Sequence, residues 1–281
     1  MNDSYARKLW TVFEPLHIVT YFSPECLQAN KDVGLKGFWM GYFGSRAAPM
    51  GPVSAGVVDA TFYGFHPVRV RKAVPDAWTF ASPEEILRAR EESAAKALRR
   101  LAPGIDEVAE KANPLLASVV QAADGAGRAL FNANRDVPTP DDPVAALWQH
   151  TASLREHRGD GHLAVLVNEG LNGIESNVLA YAANGMTFDV LTLTRGWSAE
   201  ELDGAATALA GRGLLDKDGK VTDEGRALRK RMEERTDALA APAYRVLDDP
   251  DGLFALLEPM AQPVMDSGEV PFPNPIGLQK R

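Results

Sequence analysis

Hydrophobic positions in this 281-residue chain recur mostly at helical spacing, and helix-starting residues stand in front of several of the runs. Ser82-Pro83-Glu84-Glu85 reads as an N-cap serine, a proline at the first helical position and a glutamate completing a capping box. Behind it Leu87, Ala94, Leu98 and Leu101 share one face, interrupted by Arg90, while Arg88, Glu92, Lys96 and Arg99 lie opposite. This pattern predicts an amphipathic helix over 83–101. A second helix is expected over about 105–123, bent or restarted at Asn113-Pro114. Ser23-Pro24-Glu25 opens a helix in the same manner as Ser82.

Three prolines between Val137 and Pro143 mark a linker. They divide the chain into an N-terminal helical domain, 1–137, and a C-terminal helical domain, 143–262. Prolines between Glu269 and Pro275 make 263–281 an extended tail. A short internal echo, Gly34-Leu35-Lys36-Gly37 after Trp10 and Gly170-Leu171-Asn172-Gly173 after Trp148, hints at two related halves.

The clearest local architecture lies at about 189–240. Ser198-Ala199-Glu200-Glu201 is a capping box opening a helix to about Ala210, which Gly211 or Gly213 ends. Leu214 to Val221 reads as two short strands around an Asp218-Gly219 turn, and Thr222 caps the next helix with Asp223 and Glu224 in its first turn. Helix, hairpin and long helix are the wing end of a winged helix-turn-helix. The stretch LAGRGLLDKDGKVTDEGRAL resembles the corresponding part of MarR-type regulators. Glu200, Glu201 and Asp203 occupy the expected recognition helix, and from Arg195 to Asp223 four basic residues face six acidic ones. Duplex binding draws on Lys and Arg at phosphates, so DNA is a disfavoured partner.

Candidate chemistry concentrates at Arg155, Glu156, His157, Arg158, Asp160 and His162. In a helix from Pro143, Arg158 shares a face with Leu147, Thr151 and Leu154, so its guanidinium needs a carboxylate from Glu156, Asp160 or Glu175. Gly159 and Gly161 are expected to break that helix and leave Asp160 and His162 on a tight turn. Two histidines, two arginines and two carboxylates suit acid–base work or anion recognition, and equally a buried ion-pair network. Were the site catalytic, His157 or His162 would carry the proton, Asp160 would orient it, and Arg158 or Arg46 would hold an anionic group. No third ligand accompanies the histidines as a metal site requires, and the residues identify no cofactor.

The N-terminal half adds Trp39, Tyr42, Phe43 and Arg46, on a helix whose Gly37, Gly41 and Gly44 share a face open to close packing. Aromatics beside an arginine suit a planar or acidic small molecule. His17, between Phe13 and Tyr21 on an apolar face, is a core histidine or a ligand contact. His66, at the end of an aromatic helix, is a ligand contact or a C-terminal cap.

Composition narrows the classes. One cysteine, Cys26, excludes an intramolecular disulfide, and its expected state is a buried thiol. The N-terminal MNDSYARKLW carries no signal-peptide pattern, and the most apolar segment, Gly37 to Phe43, falls far short of the roughly 18 residues of a membrane span. Both point to a cytoplasmic protein with no membrane partner. A net charge of -8 argues against general attraction to nucleic acid.

FWMGYFGSRAAPMGP, LREHRGDGH and RGWSAEELDGAATALAGRGLLDKDG together resemble an actinobacterial family of SalK-like helix-turn-helix proteins, over 10–263. The resemblance implies an actinobacterial source and a setting in specialised metabolism, and carries no catalytic residues with it. The expectation is a mainly α protein of helical halves with a winged-helix unit, monomeric or homodimeric. It would bind a small molecule near Trp39, Tyr42, Arg46, His157, Arg158, Asp160 and His162, as a binding protein or an enzyme. A ligand-responsive DNA-binding regulator is the alternative.

Overall fold

A computed structural model describes residues 4–272 and Leu278. The chain is mainly helical, 74% by residue, with 15 α-helices among the described residues. The first nine are α1 (Ser4–Phe22), α2 (Pro24–Asp32), α3 (Gly37–Ala47), α4 (Ala55–Thr61), α5 (Pro67–Arg71), α6 (Ala77–Phe80), α7 (Pro83–Leu101), α8 (Ile105–Ala122) and α9 (Ala129–Arg135). The other six are α10 (Pro143–Asn168), α11 (Gly173–Ala183), α12 (Asp189–Arg195), α13 (Ala199–Gly211), α14 (Asp223–Ala240) and α15 (Pro250–Asp266).

α10 is the axis of the molecule. Its 26 residues span about 39 Å at 1.5 Å per residue, and α1, α7, α8, α9 and α14 pack along it. Asp142 starts it by accepting from the N–H groups of Val144 and Ala145, both at 2.9 Å, ahead of Pro143. Trp148, fully buried, fills the centre of the main core with Phe13, Leu16, Leu98 and Leu116. A second core gathers Phe43, Val58, Phe62 and Ile86, and a third joins Leu171, Leu179, Leu191, Leu209 and Met232.

The predicted helix starts at Ser82, Ser198 and Thr222 are all present, the first two as complete capping boxes. Ser23 precedes α2 as expected, but its hydroxyl donates to Glu269 at 2.8 Å instead of capping.

Five expectations are corrected. Gly159 and Gly161 do not break α10: packing on five neighbouring helices outweighs the roughly 1 kcal/mol that each glycine costs a helix. Pro114 likewise lies inside an uninterrupted α8. The two wing strands reduce to one antiparallel bridge between Leu215 and Val221, because the Asp216 carboxylate takes the N–H groups of Asp218 and Lys220 at 2.9 Å and folds the intervening chain into a tight turn. His66 is the N-cap of α5, its Nδ1 accepting from Val68 N–H at 3.0 Å, because Pro67 starts a new helix there. The tail begins later than 263, since α15 continues to Asp266; most of it past Phe272 lies outside the described residues.

α12, the turn Gly196-Trp197-Ser198 and α13 form a helix-turn-helix corner. Gly196 adopts φ +89°, and a Cβ there would sit 2.6 Å from Arg69 Nε, so only glycine fits. His66 clamps the corner: its N–H donates to Arg195 O, its Nε2 meets Glu201 at 3.1 Å, and its ring lies edge-on to Trp197. The α10–α11 junction is equally tight, since a Cβ on Gly173 would fall 1.9 Å from Tyr63 O.

Candidate ligand cavity

A cavity of about 410 Å³ opens where α1, α3, α10, α11, α12 and α14 meet. Its size falls at the lower end of the roughly 300–1,000 Å³ of small-molecule sites. α3 lays an aromatic wall into it. Trp39 packs edge-on against Tyr42 (5.9 Å between centroids) and Phe65 (5.9 Å), and Tyr42 lies 5.4 Å from Phe65. Periodicity explains the arrangement: Trp39, Tyr42 and Arg46 recur at helical spacing on one side of α3, while Gly41 on another approaches Asn30 of α2. A Cβ on Gly41 would fall 2.9 Å from the Asn30 amide.

Five arginines line the cavity: Arg46, Arg155, Arg158, Arg195 and Arg229. Arg46 grips Glu156 with both arms, Nε–Oε1 at 2.8 Å and Nη2–Oε2 at 2.9 Å, and rests over Phe62. Arg155 donates to the same Glu156 at 2.8 Å and reaches Glu14 at 3.4 Å. Burial opposes ionisation of Glu156, yet Arg155 and then Arg46 outweigh it and hold its pKa well below the usual carboxylate range. Arg158 pairs with Glu233 at 2.9 Å and Asp237 at 3.0 Å, both on α14, and sits over the Trp10 ring. The carboxylates anticipated for Arg158 are engaged elsewhere: Glu156 by Arg46, Asp160 by Phe131 N–H at 2.9 Å, and Glu175 in the capping box of α11. Arg7 joins the α14 pair, contacting both Glu233 and Asp237.

Of the residues the sequence singled out, Trp39, Tyr42, Arg46, Arg155, Arg158, Asp160 and His162 line the cavity together. Phe43 lies fully buried behind the aromatic wall. His17 stacks on Trp148 at 5.7 Å and meets the Tyr21 hydroxyl at 3.1 Å, inside the core. His157 is 2% exposed and points at Phe131, on a different side of α10. His66 belongs to the helix-turn-helix clamp. Burial lowers the pKa of His162 to about 4, and its Nδ1 meets Thr236 Oγ1 at 3.0 Å. Burial, with Arg128 nearby, takes His157 to about 4 as well. Asp160 moves the other way, to about 6, again through burial. At neutral pH both imidazoles are therefore uncharged.

Sequence reasoning overlooked Arg195 and Tyr181 on the cavity wall. Arg195 ends a seven-residue helix too short for a facial pattern, and Tyr181 reads as one more apolar position of α11. Cys26 is buried, and burial lifts its thiol to about 12, so it is no nucleophile. Among the described residues no group of three or more His, Cys, Asp or Glu side chains is placed to hold a metal ion, and no helix is long and apolar enough to cross a membrane.

A helical body carrying a helix-turn-helix corner defines the class, and the comparison with known families agrees. The chain belongs to the helix-turn-helix family, whose model matches residues 6–271. No curated protein and no solved structure matches it.

Proposed function

We propose that this chain is a small-molecule-binding helix-turn-helix protein, its ligand held between the N-terminal portion (1–137) and the C-terminal portion (143–262). One observation carries the reading: a cavity of about 410 Å³ with an aromatic wall and five arginines, in a chain whose net charge is -8. Cationic and aromatic side chains gathered into one concave site are the usual furniture of a ligand pocket, whereas a scaffold gains nothing from keeping such a space open. The SalK-like resemblance, with its setting in specialised metabolism, and the MarR-like character of the α13–α14 unit belong to this proposal. Enzyme chemistry has weaker support, since Asp160 and His162 engage Phe131 and Thr236 rather than each other.

The test is thermal denaturation of the full chain against a panel of neutral and charged aromatic compounds, alongside native mass spectrometry for co-purified ligand. Compounds that raise the midpoint in the wild type should lose the effect in Ala180→Trp, which fills the α11 side of the cavity. A panel with no binder, together with a bare mass, would sink the reading.

Family membership favours a second reading, a DNA-binding regulator. Its basic residues are heavily committed: Arg212 donates to the Gly170 and Glu169 carbonyls, and Arg226, Lys230, Arg231 and Arg235 pair with acidic neighbours. Fluorescence anisotropy of labelled duplexes across a salt series decides the matter. Binding that weakens steeply with salt and is lost in a Lys217→Ala, Lys220→Ala double variant would establish this reading.

A further inference from the structure

Most charge in the cavity is neutralised by folding: Arg229 still reaches Glu233, at 3.9 Å, whereas Arg195 meets no carboxylate among the described residues. Arg46 and Arg155 share Glu156, and Arg158 holds Glu233 and Asp237. Arg195 sits with its guanidinium 4.4 Å above the Phe65 ring, and the described residues supply it with no carboxylate. Its Nε is buried without a hydrogen-bond acceptor. Burial lowers its pKa; Tyr42 and Tyr181 work against that shift, Arg46 and Arg155 work with it, and the net direction is down. Tyr181, on the same cavity wall, is 3% exposed, and its hydroxyl has no partner either. A buried donor left unsatisfied costs roughly 1–3 kcal/mol, and more where it is charged. Two such groups on residues that line one aromatic-walled cavity indicate an incoming acceptor.

We propose that Arg195 and Tyr181 form the anion-anchoring end of the cavity, and that its ligand is a planar aromatic carboxylic acid. Chemistry selects this class. The guanidinium fork matches the two oxygens of a carboxylate, and a phenol supplies one further donor. Trp39, Tyr42 and Phe65 offer ring surface that a small inorganic ion would leave wet, and a volume of about 410 Å³ exceeds such an ion's need. Arg46 is the more conspicuous arginine in the sequence, but its bidentate hold on Glu156 makes it part of the wall. Arg195 is also the last residue of α12, so a ligand anchored there touches the helix-turn-helix corner directly.

This inference rests on the cavity being a ligand site, and the experiment separates the two. Isothermal titration of the full chain near neutral pH compares 2-naphthoate with its uncharged analogue 2-naphthamide. The expected result is binding of naphthoate at least about tenfold tighter, with the preference removed in Arg195→Met, partly kept in Arg195→Lys, and weakened roughly threefold in Tyr181→Phe. Circular dichroism and melting curves establish that each variant is folded. If naphthamide binds as tightly as naphthoate, the acid class is overturned and the cavity remains a ligand site. If naphthoate is preferred but Arg195→Met leaves that preference intact, the anchor is overturned. If neither compound binds, this proposal falls; the wider reading falls only if the neutral and charged panel fails too.

Discussion

The two walls of the cavity treat arginine in opposite ways. On the α3–α10 wall, Arg46 and Arg155 converge on Glu156, with Glu14 in reach, so each cation meets a carboxylate. On the α11–α12 wall, Arg195 has an aromatic face beneath it and the unpaired hydroxyl of Tyr181 beside it on the cavity lining. Charge matched within the fold belongs to the scaffold, and removing one partner exposes the other to an environment that cannot solvate it. Charge left unmatched is available to something that arrives. The most prominent polar cluster in the sequence is therefore mainly structural, and the proposed anchor lies on another wall.

The paired wall gives the largest expected effect. Glu156→Gln leaves Arg46 and Arg155 buried without their shared carboxylate, and stability should fall by about 3–5 kcal/mol in guanidinium denaturation. A loss below about 1 kcal/mol would break the comparison, because the α3–α10 wall would then be no more dependent on pairing than the other.

Acidity probes the same scaffold with a somewhat smaller amplitude. His157 and His162 carry folded pKa values near 4 against an ordinary 6.5, so the unfolded chain binds more protons and stability rises as pH climbs from about 4 to 6.5. Asp160 opposes them: its folded value near 6 exceeds the ordinary 3.8, so its contribution is full below pH 3.8 and is lost by about pH 6. His17 and His150, which burial also lowers, act in the same direction, so the histidines outweigh the one aspartate and the net gain across the window is at least about 3 kcal/mol. Denaturation midpoints measured between pH 4 and 7 should follow that rise, and His162→Gln should make it shallower. A flat profile would show that these imidazoles are not held neutral by burial.

Arg195→Met tests the other wall. Deleting an unpaired, half-buried cation in favour of an apolar side chain should leave stability unchanged or raise it by about 1 kcal/mol. A loss comparable to that of Glu156→Gln would mean that Arg195 is structural after all, and the contrast between the walls would disappear.

These contrasts explain what could be read from the chain. Starts of α7, α13 and α14 were legible because Ser82, Ser198 and Thr222 act within three or four residues of themselves. That Trp39, Tyr42 and Arg46 share one side of α3 was legible too, since helical spacing sets which side chains share a face; that α10 meets that side was not. Partners were not. Arg158 finds its carboxylates 75 and 79 residues away on α14, and no local pattern encodes that choice. Arg195 went unnoticed because its importance comes from what fails to surround it. The wing failed for a local reason: Asp216 competes with the ladder for two N–H groups, and Asp218-Gly219 alone does not reveal that competition.

The smallest expected effect separates two glycines that local rules treat alike. Both Gly159 and Gly161 sit in the interior of α10, where alanine is preferred by roughly 0.5–1 kcal/mol. A Cβ on Gly159 would meet only Glu156 Oε2 at 3.5 Å, an ordinary contact. A Cβ on Gly161 would lie 2.6 Å from Arg128 Nη1, whose guanidinium is tied to the carbonyls of His157 and Leu239. Gly159→Ala should therefore stabilise by about 0.5–1 kcal/mol, while Gly161→Ala should gain nothing or lose about as much, because Arg128 must shift and loosen its contacts. Equal gains from both substitutions in urea denaturation would place Arg128 as a dispensable surface contact. Unequal ones would confirm that Gly161 is kept for Arg128, and that helix propensity at 159 yields to the cavity it borders.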